Sequence, residues 1–285
     1  MKNSKISSRE ISRFISLSFH EDLGSGDVTT LACIPKNAKG VSQLLVKSAG
    51  ILAGVELAEK IFTHYDKSLR FVRFMRDGAA IKRGDIAFKV SGSSRSILIC
   101  ERLVLNCMQR MSGIATLTRK FVDAVEGTGA VILDTRKTTP NFRLIEKWAV
   151  KIGGAQNHRF GLYDMVMIKD NHIDFCAGIP NAINAVNDFL KKKKRKLKIE
   201  IEVRNLTELN QVLNTGCVNR IMLDNFSVAD IKIAVALIAG KFETEVSGGV
   251  NLKTVRKFAE CGVDFISVGA LTHQYQSLDL SLKAF

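Results

Sequence analysis

The sequence has little proline, few aromatic residues and no long apolar run. Its 285 residues include 3 Pro and 1 Trp, and aromatic residues make up 7%. No apolar stretch reaches the roughly 20 residues that cross a bilayer, so we expect no membrane-spanning segment. The scarcity of proline excludes collagen-like and proline-rich chains. Because 46% of the residues are hydrophobic, the chain can bury the core of one large α/β domain or of two domains.

The cysteines form no recognisable pairing motif. The six are Cys33, Cys100, Cys107, Cys176, Cys217 and Cys261, and none belongs to a C-x-x-C pair. This spacing predicts neither a disulfide framework nor a zinc site. The first residues are charged and no apolar segment follows them, so we expect no secretory signal and a cytoplasmic protein.

Positive charge is in excess. Lys and Arg number 42 against 28 Asp and Glu, which gives a net charge of +14. Such a charge attracts anions, including nucleic acids, membrane surfaces and phosphorylated or carboxylated metabolites. Residues 191–196 are all Lys or Arg, but no aromatic residues alternate with them to stack on bases. We interpret this run as a solvated helix end and expect neither a nucleic-acid nor a membrane partner.

The chain changes character near its first third. Residues 39–99 alternate short strands with glycine turns and one amphipathic helix at 55–62, a pattern typical of an α+β sandwich. A long helix is predicted at about 96–125. From residue 130 onward, short apolar strands alternate with helical patterns, which predicts a parallel sheet with helical crossovers. The predicted strands are 131–133, 165–168, 199–203, 221–223, 244–246 and 265–268.

Polar or glycine residues follow each of these strands. Reactive side chains at the carboxyl ends of successive parallel strands are typical of the mouth of a (β/α) barrel. Because only six or seven strands are recognisable, we expect a barrel somewhat short of eight.

Five cationic or potentially cationic residues fall at strand ends or in the connection between two strands. They are Arg136, Lys137, His158, Arg159 and Lys169. Brought together at one mouth they would repel one another, so they predict a ligand with several negative charges. Surface ion pairing is the alternative interpretation.

Glycine follows the last two predicted strands. Ser247, Gly248 and Gly249 follow one, and Gly269 follows the next. The final loops of phosphate-binding barrels offer bare backbone N–H groups to a phosphate, which is the function we predict here. Ordinary tight turns would also explain the glycines.

Carboxylates lie on two neighbouring strands. Glu200 and Glu202 alternate along one strand and therefore point to the same face, and Asp224 ends the next. We expect Glu202 and Asp224 to hold ribose hydroxyls or a Mg²⁺ bound to a phosphorylated substrate. An internal ion pair with a neighbouring lysine is the alternative interpretation, and it is favoured more for Glu200 than for Glu202.

Several longer motifs resemble those of the quinolinate phosphoribosyltransferase family, over about residues 20–285 in one register. The motifs are ER at 101–102, SGIAT at 112–116, DTRKTTP at 134–140, NHR at 157–159, GLYD at 161–164, IKDNH at 168–172, IMLDN at 221–225, SGG at 247–249 and ISVGALTH at 266–273. The departures from the family pattern at Asn141, Ala155, Gln156 and Arg204 affect loop details only.

The resemblance implies an α/β fold in which an N-terminal α+β sandwich precedes an incomplete, seven-stranded α/β barrel. It implies domains at 1–113, joined by the tail 273–285, and at 114–272. It also implies a homodimer, or a hexamer, in which the sandwich of one subunit covers the barrel mouth of the other.

The resemblance further implies an enzyme of NAD biosynthesis that joins quinolinate to 5-phosphoribosyl-1-pyrophosphate with Mg²⁺, releasing pyrophosphate and CO₂. Quinolinate would be held by Arg136, His158, Arg159 and Lys169, with Arg102 from the partner subunit. Lys137 would serve quinolinate or the departing pyrophosphate. Ser247, Gly248, Gly249 and Gly269 would hold the 5-phosphate, and Glu202 and Asp224 the ribose and Mg²⁺. Lys137, Glu202 and Asp224 are the predicted catalytic residues.

Three other functions remain open from the sequence. One is the molybdenum-associated paralogue of the same family, against which the intact motifs argue. The second is a Schiff-base aldolase using Lys169, which borohydride trapping with a ketose phosphate would reveal. The third is a nucleic-acid binder, which would show salt-dependent retention on DNA and no turnover of quinolinate.

Overall fold

The computed structural model describes residues 7–285, so the first six residues of the predicted signal-free N-terminus lie outside the described residues. The chain divides into two compact units. Met1–Leu117, Leu144–Gly153 and Tyr275–Phe285 form the first, and Thr118–Arg143 and Gly154–Gln274 form the second. The sequence-based division differs from this one chiefly at residues 144–153, which it placed in the barrel.

The strands are β1 (Lys39–Val46), β2 (Gly50–Ile51), β3 (Arg70–Arg73), β4 (Ala80–Ile81), β5 (Ile86–Ser93), β6 (Val131–Leu133), β7 (Val166–Ile168), β8 (Ile199–Val203), β9 (Arg220–Asp224), β10 (Glu243–Ser247), β11 (Phe265–Ser267) and β12 (Leu280–Ala284). The helices are α1 (Ser8–Leu23), α2 (Val28–Cys33), α3 (Val55–Tyr65), α4 (Ser94–Ala124), α5 (Arg143–Ile152), α6 (Asp170–Phe175), α7 (Ile179–Lys192), α8 (Leu206–Thr215), α9 (Val228–Ile238), α10 (Val255–Ala259) and α11 (Ala270–His273). Within residues 7–285, no helix has both the length and the apolar character needed to span a membrane.

The first unit is built on an antiparallel sheet in the order β12-β1-β5-β3. Strand β12 pairs with β1 in a register that places Leu44 opposite Leu282, so the end of the chain completes this sheet. The aromatic residue Phe62 of α3 packs near Phe71 and Phe88, whose ring centroids are 4.5 Å apart. This apolar cluster gives the α+β unit its core.

The second unit is built on a parallel sheet in the order β6-β11-β10-β9-β8-β7. Strands β7 to β11 are neighbours in chain order, and β11 then pairs with β6, which is the winding of a (β/α) barrel. In the described residues this sheet has six strands and is open between β6 and β7. A single parallel bridge from Leu133 to Gln156 lies where the predicted seventh strand would run. The predicted incomplete α/β barrel is confirmed.

The register of β8, β9 and β10 puts charged residues into layers on one face. Glu200 and Glu243 both lie opposite Arg220, and Glu202 and Glu245 both lie opposite Met222. Since side chains alternate along a strand, residues of β8 with even numbers share a face, while Ile201 points the other way. The parallel strands therefore carry charged side chains on one face, from Arg220 and Glu243 at the amino ends of β9 and β10 to Glu202 near the carboxyl end of β8.

Candidate active site

A cavity of about 750 Å³ opens at the carboxyl ends of the parallel strands, entirely within the second unit. Its lining includes Thr135, Arg136, Lys137, His158, Arg159, Met167, Lys169, Glu202, Met222, Asp224, Asn225, Ser247, Gly248, Gly249, Val250, Ser267, Gly269, Ala270, His273 and Gln274. Every site residue predicted on the barrel strands or their loops thus lines one cavity.

Two arginines line this cavity close to each other. Burial lowers the pKa of Arg159, and the positive charge of Arg136 lowers it further. The Arg159 guanidinium donates to the carbonyl of Met165 at 3.3 Å, whereas the Nε of Arg136 is buried and meets no hydrogen-bond partner among the described residues. A buried guanidinium N–H without an acceptor indicates a place for an anion.

Lys169 is paired with an acid across the cavity. Its Nζ donates to Glu202 Oε2 at 2.6 Å, and the lysine side chain is half-exposed while the glutamate is buried. On the next strand, the carboxylate of Asp224 accepts a hydrogen bond of 2.7 Å from the side-chain amide of Asn225. The two acids are therefore held in place by neighbours that also reach the cavity.

The loop after β10 requires glycine. Gly248 has a φ of +89°, and a Cβ there would lie 2.2 Å from Oδ1 and 2.9 Å from the backbone nitrogen of Asn225. After β11, a Cβ on Gly269 would lie 2.9 Å from the ring of His273 and 3.2 Å from the side chain of Lys137. Both loops leave bare backbone at the cavity wall, which is what a phosphate needs for close approach.

Three side chains fix the backbone around the cations. Asp134 accepts from the His158 amide at 2.8 Å, and Asp164 accepts from the amides of Phe160 and Gly161 at 2.7 and 2.9 Å. Arg143 donates to the carbonyl of Phe160 at 3.0 Å. These supporting hydrogen bonds could not be identified from the sequence, because they form only when the loops fold against each other.

Two family models together match most of the chain. The model described as quinolinate phosphoribosyl transferase, N-terminal domain, matches residues 27–112, and that of the C-terminal domain matches residues 114–283. The chain belongs to the quinolinate phosphoribosyltransferase family. The predicted family is confirmed.

Several members of the family are similar over nearly their whole length. The chain is 48% identical over 289 residues to the chloroplastic carboxylating nicotinate-nucleotide pyrophosphorylase of Arabidopsis thaliana, covering 96% of this chain and 82% of that protein. It is 36% identical over 273 residues to the probable carboxylating nicotinate-nucleotide pyrophosphorylase of Bacillus subtilis, covering 96% and 93%. The crystal structure of NadC from Streptococcus pyogenes matches with a TM-score of 0.92 at 37% identity, covering 99% and 98%. The predicted two-domain fold is confirmed.

Extending below the cavity is a largely buried column of charges, which we define as His158, Glu200, Glu245, Arg220 and Glu243. His158 also lines the cavity, and Glu243 is partly exposed at the other end. His158 Nε2 lies 2.9 Å from Glu200 and 3.5 Å from Glu245, and Arg220 lies 2.7 Å from Glu245 and 3.0 Å from Glu243. The expectation that a lysine pairs with Glu200 rather than with Glu202 is wrong, because Lys169 pairs with Glu202 and the nearest cationic partner of Glu200 is His158. Barrel interiors are ordinarily filled by branched apolar side chains, so this column is a departure.

The column also resembles a metal site. His158, Glu200 and Glu245 each offer one ligand atom, and these atoms lie within 4.8 Å of one another. However, the oxygen of Glu245 that faces His158 also accepts from Arg220 at 2.7 Å. A guanidinium already neutralises this carboxylate, so we interpret the group as an internal charge network.

Two contacts compete for the protonation state of His158. Burial lowers its pKa, but hydrogen bonds to Glu200 and Glu245 outweigh burial and raise the pKa to about 9. In the opposite direction, the Arg159 amide donates to Nδ1 at 2.7 Å, which requires a lone pair there. A ring that carries both protons must therefore release the Arg159 amide.

The pKa values of Glu200 and Glu245 shift in opposite directions. Burial and the neighbouring charge of Glu245 raise the pKa of Glu200 to about 7. Burial also raises the pKa of Glu245, but the contacts with His158 and Arg220 outweigh it and lower that pKa. Of these two acids, Glu245 is the one whose charged form His158 and Arg220 favour.

Arg102 is exposed on α4 and belongs to the first unit. The cavity lining given above comes from the second unit, so among the described residues Arg102 is the predicted site residue that the cavity does not include. Its predicted contribution across a subunit interface stays a prediction.

Proposed function

We propose that this chain is a decarboxylating quinolinate phosphoribosyltransferase that transfers phosphoribosyl from 5-phosphoribosyl-1-pyrophosphate to quinolinate and forms nicotinate mononucleotide for NAD biosynthesis. The observation that carries the proposal is a single cavity with cations along one wall and bare glycine loops on another. A dicarboxylate and a phosphorylated sugar need these two kinds of wall.

The cationic wall fits the two adjacent carboxylates of quinolinate. Arg136 and Arg159 supply planar donors suited to carboxylates, and the buried Nε of Arg136 still has room for an acceptor. His158 and Lys169 complete this wall. Lys137, which is exposed beside Gly269, is placed to meet either quinolinate or the departing pyrophosphate.

The glycine wall fits the 5-phosphate. Gly248 and Gly249 both have positive φ, of +89° and +60°, and a Cβ on Gly249 would meet open space. Their amides, together with Ser247 and Gly269, line the cavity. Backbone N–H groups in such turns form anion-binding concavities without any positive side chain.

Glu202 and Asp224 lie between the two walls, where the ribose would be held. Their carboxylate oxygens fit Mg²⁺, which prefers oxygen ligands and binds through one or two carboxylates and substrate phosphates. Because Lys169 already neutralises Glu202, Asp224 is the freer of the two to hold the ion. Bound Mg²⁺ would supply charge neutralisation for the pyrophosphate.

The reaction needs positioning and charge stabilisation. The lone pair of the pyridine nitrogen forms a bond to C1 of the ribose while the C1–O bond to pyrophosphate breaks, and that bonding pair leaves with pyrophosphate. Glu202 and Asp224 stabilise the positive charge that develops on the sugar, and Lys137 stabilises the leaving group. The C2 carboxylate then departs as CO₂, the pyridinium accommodates the electron pair left on C2, and water supplies the proton that C2 gains.

The assembly we propose is a homodimer or a hexamer, in which Arg102 reaches the cavity of the partner. Mixing R102A protein with R136A protein tests this arrangement, because a hybrid dimer would contain one intact site. Partial recovery of activity is expected, and no recovery after proven subunit exchange would refute the shared site. We keep the cytoplasm as the proposed location, although plant relatives are named chloroplastic or mitochondrial.

An assay for CO₂ and nicotinate mononucleotide tests the function directly. With quinolinate, 5-phosphoribosyl-1-pyrophosphate and Mg²⁺, we expect the two products in equal amounts, and a chelator should abolish both. Nicotinate run in parallel as acceptor should give little product. Turnover of nicotinate without turnover of quinolinate would refute the proposal.

E202Q tests the role given to the acid between the walls. Because the lost charge acts on the transition state, kcat should fall about 10²-fold while quinolinate affinity changes little. The reverse pattern would remove Glu202 from the ribose side.

A further inference from the structure

Arg136 and Arg159 face one cavity although they repel each other. The charge of Arg136 makes the protonated form of Arg159 less favourable, so the two cations repel each other across the cavity. A dicarboxylate, by contrast, needs both guanidinium groups at a fixed spacing. Affinity is gained when that spacing exists before the ligand arrives.

Arg143, half-buried at the start of α5, contacts both loops. Its Nε donates to Thr138 Oγ1 at 2.9 Å and its Nη2 to the carbonyl of Arg136 at 3.4 Å, both in the loop after β6. Its Nη1 donates to the carbonyl of Phe160 at 3.0 Å, one residue beyond Arg159. The Arg143 guanidinium therefore holds the backbone at Arg136 and the backbone next to Arg159.

The turn before α5 directs the Arg143 side chain toward the loop that carries Arg136. Asn141 adopts a positive φ of 61°, and the Phe142 amide donates to the Thr139 carbonyl at 3.1 Å. The chain thus reverses directly after the loop that carries Arg136. Arg143 follows the turn and returns toward that loop.

We propose that Arg143 is a positioning residue that holds the backbones of Arg136 and Arg159 at the spacing a dicarboxylate requires. The inference rests on the proposed function and adds to it a residue that lines no part of the cavity. Arg143 does not touch the substrate. It acts through the two arginines that do.

The substitution R143K separates the effect of the hydrogen-bond geometry of Arg143 from the effect of its charge. R143K keeps the positive charge near the cavity but cannot make the three directed bonds of the guanidinium. We expect the Kd of quinolinate to rise about tenfold by calorimetry, because the two cations lose their fixed spacing. The Kd of 5-phosphoribosyl-1-pyrophosphate, which uses the glycine loops, should change less than about twofold. The loss should be smaller for nicotinate, which has one carboxylate.

R195K is the matched control. Arg195 also donates to a backbone carbonyl of the same segment, that of Tyr163 at 2.6 Å, but it holds neither cation-bearing loop to the other. Quinolinate affinity of R195K should stay within about twofold of the wild type. An equal loss in R195K and R143K would overturn the inference, and so would unchanged quinolinate affinity in a folded R143K protein.

T138V is the second variant, used if R143K does not fold. It removes the acceptor of Arg143 Nε and leaves the charge in place, so quinolinate affinity should fall about threefold with affinity for the sugar donor unchanged. No change, or an equal loss for both substrates, would refute the inference. Failure of the wild type to bind quinolinate at all is a different result, because it would refute the proposed function and the dicarboxylate with it.

Discussion

The cavity wall and the charged column beneath it use the same side-chain types in two different ways. In the column, Arg220 pairs with Glu243 and Glu245, and His158 lies within 3.5 Å of Glu200 and of the same Glu245. At the cavity wall, the buried Nε of Arg136 has no partner among the described residues. The column therefore places opposite charges close together within the protein, although both carboxylate oxygens of Glu200 and Oε1 of Glu245 make no well-aligned hydrogen bond among the described residues. The wall, by contrast, leaves the Nε of Arg136 for a ligand. This contrast predicts that substitutions in the column change stability and substitutions in the wall change binding.

The largest effect is expected from E245A. The substitution removes a fully buried carboxylate of the column and leaves Arg220 and His158 without it, which costs about 3–4 kcal/mol in the free energy of unfolding. Urea unfolding measures this value. E202A provides the comparison at the cavity, where the lysine partner is half-exposed and the loss should be about 1 kcal/mol. Equal losses in the two variants would contradict the difference between column and wall.

The next effect is expected from R136A. Removing a guanidinium that awaits two carboxylate oxygens should weaken quinolinate binding about 100-fold, as measured by calorimetry. The free energy of unfolding should stay the same or rise slightly, because the repulsion with Arg159 disappears. A strong loss of stability with unchanged affinity would mean that Arg136 belongs functionally with the column.

The pH dependence of stability separates the two contacts that compete for His158. Its raised pKa, about 9, means that the folded protein keeps a proton that the unfolded chain releases above about 6.5. This stabilising contribution, about 3 kcal/mol for a shift of this size, is fully present below pH 6.5 and is lost as the pH rises through about 9.

Unfolding experiments at pH 6, 7.5 and 9 measure this slope, and H158Q should flatten it. If the wild type shows no slope between these pH values, the Arg159 amide keeps Nδ1 free of a proton. The ring would then be neutral in the folded protein.

Much of the barrel could be predicted from sequence because its strands are short apolar runs that end in polar or glycine residues. Residues 199–203 and their acids show this, since β8 has these same bounds. The cavity residues followed from the same rule, because the carboxyl ends of parallel strands meet at one edge.

The column could not be predicted, although a signal was present. Glu243 and Glu245 alternate as Glu200 and Glu202 do, but only the register shows that Arg220 lies between Glu200 and Glu243 on the neighbouring strands. Which residues lie opposite one another depends on the register between strands, and a single sequence does not give that register. The predicted role of Arg102 at the site of a partner subunit stays a prediction, because one chain does not test it.

The smallest effect is expected from E243Q, which tests whether depth in the column decides the energy. Glu243 binds the same Arg220 as Glu245 does, but its side chain is 35% exposed and also meets the exposed Lys198. Water screens this end of the column and Arg220 keeps Glu245, so the free energy of unfolding should fall by only about 0.5–1 kcal/mol. Quinolinate affinity should not change. If E243Q were as destabilising as E245A, the stability of the column would depend on the number of carboxylates around Arg220 and not on their burial.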